Sequence, residues 1–487
     1  MWSRHLLDGR HEGTGGLGRV LLAMPRSGAT QLAVVSNRGP VSFAFDQEGN
    51  LQAKRASGGM VAVLGPGVIE HDALWLATAL SDADRAATGT GEVVVEGYRL
   101  RTLTIDPAPF RQYYDVIANQ TLWFLLHGMW DLPRRPRFDR YWWDAWRAFV
   151  AVNRCFAEAA AAELAPGATV LVNDYQLALV GAELRRLRPD VRTSIFIHTP
   201  FCHPSELDVL PGAVADTFLT GLGGAGACGF HSHRWAAAFE ACCRHRRLPI
   251  PEVFVSPAAA DAVGLTEVAA SAECQAEFDL LGSLLGDRRF IVRADRIELS
   301  KNLLRGFHAF DDLLATQPEW RGRVIFGAFV YPSRETLADY LGYRQELEAV
   351  VQAINAKWAT SDWTPILLDL ADNYPRSVAA LRRYDVLVVN PIRDGLNLVA
   401  KEGPLVNERN GVLVLSPGAG AWDELSSHAV EAHPFDVAGT AEALATALTM
   451  PADERATRAQ ALKKIASART PSDWFTDQLS RARLPES

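Results

Sequence analysis

This 487-residue chain has no apolar run approaching the ~18 residues of a membrane-crossing helix, so a helical membrane protein is not expected. It has no long basic block either. Its 49 lysines and arginines against 57 aspartates and glutamates leave a net charge of −8, with both signs mixed along the chain. Nucleic acid is therefore not an expected partner, and any anion site must be a local cluster of cations. The six cysteines, at 155, 202, 228, 242, 243 and 274, form neither a CxxC metal pair nor a disulfide framework. Reduced thiols in a cytoplasm are the expected state. Internal repeats and long low-complexity tracts are lacking too, although Ala-rich helical stretches recur. The first 30 residues are rich in Gly and Arg with only a short apolar patch, which reads as a flexible N-terminal extension rather than a signal peptide.

What is present is an alternation. At 48% hydrophobic residues the chain is too long for one ordinary core and reads as two domains. Short runs rich in β-branched residues, QLAVVSN (31–37), TVLVND (169–174), TSIFIH (193–198), RFIVRA (289–294), RVIFGAF (323–329), DVLVVN (385–390) and GVLVLS (411–416), suit strands buried on both faces. Helical patterns lie between many of them, such as residues 143–164 and 302–315. The expected class is α/β, with two Rossmann-like, doubly wound parallel sheets and a ligand cleft where their strand ends face each other. The strand pattern weakens between about 232 and 288, which puts the domain junction near 255–265. The expected division is 1–30 extension, 31–258 N-terminal domain, 259–470 C-terminal domain, and a helix in 471–487 packing back on the N-terminal domain.

Polar residues concentrate at the carboxyl ends of these strands. Arg38 follows the first strand, and the glycine pair Gly58-Gly59 opens a helix-like run, a pattern that suits a phosphate. An ordinary βα turn with a surface arginine accounts for the same residues. Asp174 and His198 end two further strands, His198 being as well explained by a structural role as by a catalytic one. Arg296 is expected in the loop after a strand, and Lys301 in the first turn of the next helix, capped by Ser300. A lysine there opposes the helix dipole at a cost of a few tenths of a kcal/mol up to ~1, which a bound anion would reverse. A lysine extending into solvent is the plain alternative.

In RDGLNLVAKE (393–402), Gly395 is expected to let the chain turn tightly, presenting the amides of Leu396, Asn397 and Leu398 to the cleft. Asp394 can accept from hydroxyls, and Glu402, about two helical turns further on, can meet a second polyol. Hydroxyls at both ends and a diphosphate between them describe a nucleotide sugar. An N-cap aspartate with a surface Lys-Glu pair is the plain alternative.

The ordered set SNRGPVSF, SGGMVAVLG, YYDVIANQTLWFLLH, VNDYQLALVGAELR, FIHTPFCHPSELDVLP, GFHSHRWAAAF, RADRIELSKNLLRGF, YPSRETLADY and NPIRDGLNLVAKE resembles the trehalose-6-phosphate synthase family, actinobacterial type, from about residue 31 to about 480. The resemblance implies the GT-B fold and retaining transfer of glucose from UDP- or GDP-glucose to glucose 6-phosphate, with no cofactor and no metal at the diphosphate. It implies that Arg296 and Lys301 hold the diphosphate, with Gly59 and the Leu398 backbone close to it. Asp394 and the amides after Gly395 would bind donor-sugar hydroxyls, Glu402 the ribose, and His198 the donor sugar near its anomeric centre. Arg38, Tyr114, Trp123 and Arg334 would meet the acceptor phosphate, and Asp174 the acceptor hydroxyls. Without the resemblance, Tyr114 and Trp123 read as aromatic core. The implied partners are these two small molecules, with no nucleic acid and no membrane; a homo-oligomer is allowed.

Several segments depart from the family pattern. Glu298-Leu-Ser-Lys-Asn302 stands where Asp-Tyr-Ser-Lys-Gly is common, and 252–265 replaces a Pro-Ile-Gly-Ile type turn. The segment 402–411 resembles pseudoglycosyltransferases that couple a nucleotide-activated cyclitol to an amino-cyclitol phosphate, which is one alternative function. A non-catalytic sugar-phosphate sensor is another. No paired carboxylates stand out in the manner of glycosidases. Gly221–Gly226 fits GxGxxG but follows a helical pattern, so no dinucleotide site is expected. The DxD at Asp82 and Asp84 reads as a helix cap or solvated loop.

Overall fold

Residues such as Ala33, Val34 and Val35 are covered completely on both faces, and a parallel sheet flanked by helices is the arrangement that buries a strand in this way. The computed structural model describes residues 18–19, 29–55, 59–89 and 91–484. Gly58 and most of the expected N-terminal extension lie outside these. Of that extension, Gly18 and Arg19 pair antiparallel with Ala53 and Gln52 in a small three-stranded sheet, and Thr30 already begins a central strand.

The first large sheet has eight strands, in the order Glu252–Val255, Ala227–Phe230, Arg192–Ile197, Leu164–Asn173, Thr30–Val35, Leu74–Thr78, Tyr98–Leu103, Val93–Val95. All neighbours are parallel except the last pair, a hairpin. The second sheet is wholly parallel, in the order Ile366–Asp369, Val324–Tyr331, Arg289–Arg296, Val386–Val389, Val412–Leu415, Val430–Glu431. Helices flank both, giving two doubly wound α/β lobes. The weak stretch after residue 232 is resolved into the helix His233–Arg246, the edge strand Glu252–Val255 of the first sheet, and two further helices, Ala262–Ala270 and Ala272–Leu285.

The helix Pro471–Arg481 lies on the first lobe. Trp474 is fully buried, its ring 4.9 Å from that of Phe196, and its indole N–H donates to Ser256 O at 2.9 Å. Phe475 fills the space over Gly67 of the helix Gly59–Glu70. The chain therefore crosses between lobes twice, near 256–260 and again before Thr470. Ser256 Oγ donates to Asp477 at 2.8 Å, and Arg469 pairs with Asp477 at 2.5 Å, so the two crossings are tied together.

Among the described residues no helix is long and apolar enough to cross a membrane. All six cysteines are free thiols, Cys155 exposed and the others buried. The GxGxxG glycines close the helix Gly212–Gly223, where Gly221 and Gly224 allow close approach to Leu179 and Ala182. Asp84 forms a capping box with Ser81 at the start of the helix Asp82–Thr88.

Candidate functional site

Arg296 is the last residue of its strand, not a loop residue, because the strand stays paired with Val324–Tyr331 to its end. Lys301 lies in a single 3₁₀ turn, Leu299–Lys301. Asn302, at φ 61°, separates it from the helix Leu303–Thr316, and Ser300 makes no cap bond. The expectation that Lys301 opposes a helix dipole is thereby corrected. Its charge is compensated by carboxylates instead: Nζ lies 2.6 Å from Asp394 Oδ2 and 3.8 Å from Asp295 Oδ1. Burial opposes the ammonium, but Asp394, Asp295 and Glu298 together more than offset that and raise its pKa.

Arg334, at φ 49°, is nearly buried. Its guanidinium donates to Glu298 at 2.9 Å and to the Tyr340 hydroxyl at 2.7 Å, and lies 5.3 Å from the Trp123 ring centroid. Arg296 also pairs with Glu298, at 3.2 Å. Burial pushes the Glu298 carboxyl up, yet Arg296, Arg334 and Lys301 hold it down at about 2. Three cations and their carboxylates thus gather at the strand ends of the second sheet.

The loop after Val386–Val389 completes this side. Gly395 does not supply the tight turn; Asn397 does, at φ 74°. Gly395 is required by proximity, since a Cβ there would overlap the carbonyl oxygen of His198 in the other lobe. Asn397 Nδ2 donates to Asp394 at 3.1 Å, while Asn397 Oδ1 and Thr199 Oγ1 are buried with no hydrogen-bond partner among the described residues. The helix Val399–Val406 starts after Asp394, so Glu402 is not two turns along one continuous helix from it. Burial, then Asp261, pushes the Glu402 carboxyl up to about 7. Beside it the buried Lys401 reaches Glu424 at 2.6 Å and Ala258 O at 2.9 Å.

The first lobe faces this cluster. Asp174 has φ 74° and ψ 164°, a region that side chains avoid and that marks stored strain of order 1–3 kcal/mol. Its carboxylate accepts from the N–H groups of Tyr175 at 3.0 Å and His198 at 3.1 Å. Burial raises its pKa to about 6, partly countered by those bonds and by Arg334 and Arg296 across the cleft. The segment Gln112–Leu122 is a π-helix, with bonds spanning five residues; Tyr114 and Trp123 sit about two of its wide turns apart. Arg38 is exposed at the end of the first strand, 6.0 Å from the Tyr114 ring. Gly59 opens its helix against Leu398 of the facing loop.

His198 is neutral: burial lowers its pKa to about 4. Its Nδ1 lies 3.2 Å from His231 Nε2 and its Nε2 3.2 Å from Asn173 Oδ1. The Ala258 N–H donates to His231 Nδ1 at 3.2 Å. That donor fixes the rest: His231 Nε2–H donates to His198 Nδ1, and His198 Nε2–H donates to Asn173.

Polar contacts also join the lobes here. Arg393 pairs with Glu206 at 2.9 Å, and the Trp235 indole N–H donates to the carbonyls of Asp394 and Gly395, each at 3.2 Å. The structure therefore brings Asp174, His198, Trp123, Arg296, Lys301, Arg334 and Asp394 to one cleft, with Tyr114 and Arg38 at one margin and Glu402 beside Asp261 at another. Sequence reasoning passed over Glu298, Tyr340, Trp235, His231 and His127. His127, stacked on Trp123 at 4.1 Å, is pushed down to about 4 by burial. Each of these lies in a motif quoted above, but only spatial neighbours distinguish it from core.

A family model described as Glycosyltransferase family 20 matches residues 30–483. The bifunctional trehalose-6-phosphate synthase/phosphatase of Thermoproteus tenax is 31% identical over 479 residues, 92% of this chain, which spans 62% of that protein. The trehalose-6-phosphate synthase of Mycolicibacterium vanbaalenii is 32% identical over 491 residues, covering 93% of this chain and 97% of the relative. A solved alpha,alpha-trehalose-phosphate synthase (UDP-forming) from Burkholderia vietnamiensis aligns with a TM-score of 0.81 at 29% identity, over 93% of this chain and 98% of that one. A UDP-forming counterpart from Burkholderia xenovorans, in complex with glucose-6-phosphate, gives 0.81 at 28% identity over 93% and 99%.

Proposed function

The chain belongs to glycosyltransferase family 20, and from that premise we propose that it moves glucose from UDP-glucose or GDP-glucose to glucose 6-phosphate, retaining configuration and giving trehalose 6-phosphate. UDP-glucose is the donor to try first, because two solved relatives are named UDP-forming. The observation that carries the reading is the gathering of Arg296, Lys301 and Arg334 around buried carboxylates, opposite Trp123 and Asp174.

In this reading Arg296 and Lys301 hold the donor diphosphate, with Lys301 exchanging Asp394 for a phosphate oxygen. Asp394, thus released, and the amides of Leu396, Asn397 and Leu398 take donor-sugar hydroxyls. Asn397 Oδ1 and Thr199 Oγ1, without a partner among the described residues, support a polyol ligand, since a buried polar atom without a partner costs ~1–3 kcal/mol until a hydroxyl reaches it. Glu402 takes the ribose. Arg334, Trp123, Tyr114 and Arg38 take the acceptor phosphate, and Asp174 an acceptor hydroxyl. The barrier is departure of the nucleoside diphosphate from an oxocarbenium-like sugar, and fixed cations and amides grip harder as negative charge develops on the leaving oxygen. That oxygen then takes the acceptor hydroxyl proton as the new glycosidic bond forms on the same sugar face. A neutral His198 with both ring nitrogens engaged orients the loop and the sugar rather than moving a proton.

The test is incubation with UDP- or GDP-glucose and glucose 6-phosphate, read by mass spectrometry. One disaccharide phosphate per nucleoside diphosphate released is the expected result. Nucleotide release without that product, with coupling of a cyclitol pair instead, would replace the reading. Binding of glucose 6-phosphate with no turnover of any nucleotide sugar would leave a sensor.

A further inference from the structure

Glu298 lies between the two groups of phosphate-binding residues assigned above, and the inference rests on that assignment. Its side chain is 3% exposed. One oxygen, Oε1, receives Arg334 Nη1 at 2.9 Å, Arg296 Nη1 at 3.2 Å and Ser333 Oγ at 3.3 Å, and the Glu298 N–H donates to Arg296 O at 2.8 Å. The two arginines differ in freedom. Arg334 is wedged between the rings of Trp123 and Tyr340, 5.3 Å from each centroid, and is 12% exposed. Arg296 is 47% exposed, and Glu298 is its ion-pair partner. Position is therefore passed from the fixed arginine, through the carboxylate, to the freer one. Without that carboxylate two like charges would stand side by side and drive each other apart.

We propose that Glu298 is a positioning residue: it sets the distance between the cation assigned to the donor diphosphate and the cation assigned to the acceptor phosphate, and so aligns the acceptor hydroxyl with the donor's anomeric carbon. Glu298 touches neither substrate. The ionised state that the role requires is provided by its neighbours, which hold the carboxyl well below the ordinary range despite burial. A group that merely stabilised bound phosphate would change affinity. A group that sets spacing changes turnover at unchanged affinity, because removing its charge leaves both arginines, and more net positive charge, for each anion.

Glu298→Gln keeps the volume and loses the charge. With UDP-glucose and glucose 6-phosphate, kcat is expected to fall about 100-fold, as for a misplacement on the order of 1 Å. By calorimetry, Kd for UDP and for glucose 6-phosphate, each measured alone, stays within about threefold. Glu298→Asp, charged but one methylene shorter, draws the shared oxygen back from both arginines and gives the same split with a smaller fall in kcat. It also decides the matter should the Gln variant fail to fold. Turnover within about threefold of wild type in a folded variant, or weakened binding of both ligands with kcat retained, overturns the proposal. Should the wild type itself form no disaccharide phosphate, the functional reading falls, and this inference with it; equal turnover in wild type and variant refutes the positioning role alone.

Discussion

A single residue can carry catalytic charge without carrying the fold, and Arg296 and Lys301 differ in this. Arg296 is half-exposed and its pairing with Glu298 is solvent-screened, so Arg296→Ala should cost at most about 1 kcal/mol in urea denaturation while cutting kcat about 10²–10³-fold. Lys301 is 13% exposed, and Lys301→Ala takes the cation from Asp394, leaving it only the Asn397 amide, while Asp295 keeps Arg293; a similar loss of turnover should come with destabilisation of about 1–3 kcal/mol. Near-normal turnover in both variants would reject the diphosphate assignment. Glu402 supplies a pH test. Its folded pKa, about 7, lies above the ordinary 4.5, so between these values the native state binds the extra proton. Stability therefore falls as pH rises from about 4.5 through about 7, and Glu402→Gln should lose less melting temperature than wild type between about pH 5 and pH 8. If the ionised carboxylate takes the ribose, UDP binding should tighten up to about tenfold from pH 6 to pH 8 in wild type and stay flat in the variant. The residues most legible in the sequence, Arg296, Lys301 and Asp394, are polar groups placed directly after apolar runs. Glu298 and His231 were not legible as site residues, because an acid beside two cations and a histidine beside a serine look like ordinary surface or cap residues until the other strand ends are folded against them.

At the scale of elements, the loop 393–398 is shaped from both sides of the cleft. A methyl at Gly395 meets the His198 carbonyl, so Gly395→Ala must push the loop away from the first lobe. The expected outcome is a loss of kcat/KM of about 100-fold with a stability cost of about 1–3 kcal/mol, separable by steady-state kinetics and thermal melts. Trp235→Phe keeps the ring and deletes the N–H shared by the carbonyls of Asp394 and Gly395; it should raise the donor KM more than the acceptor KM. Equal effects on both substrates would deny the loop its donor role. The buried strands were readable because apolar, β-branched runs announce themselves. The short elements that aim the site were not. The 3₁₀ turn carrying Lys301, the π-helix carrying Tyr114 and the left-handed residues Asp174, Asn302, Arg334 and Asn397 depend on tertiary packing that overrides local preference. Gly395 was legible as a necessary glycine for the wrong reason: a one-chain pattern suggests a turn, whereas the actual constraint comes from a residue almost two hundred positions away.

At the scale of the molecule, a continuous apolar cluster runs from one face of the first sheet through Trp474 and Phe475 into the second lobe. Trp474 is central to it, and Trp474→Ala should cost about 3–5 kcal/mol by urea denaturation, from the lost ring and the cavity left behind. Unfolding of the two lobes should also separate into two transitions in that variant, where wild type shows one. The alternation of strands and helices made two lobes legible, but nothing in an amphipathic segment says which lobe a last helix will cover. That return has a mechanical consequence. A body tethered to another by one strand can swivel in any direction, whereas two neighbouring tethers act like a pair of door pins and leave one easy axis. Ser256, Arg469 and Asp477 bolt the pins together, so opening and shutting is the soft movement and twisting is stiff. Any parting of the lobes about that axis would draw Arg296 and Arg334 away from Trp123 and Asp174 and bring them back in the same register.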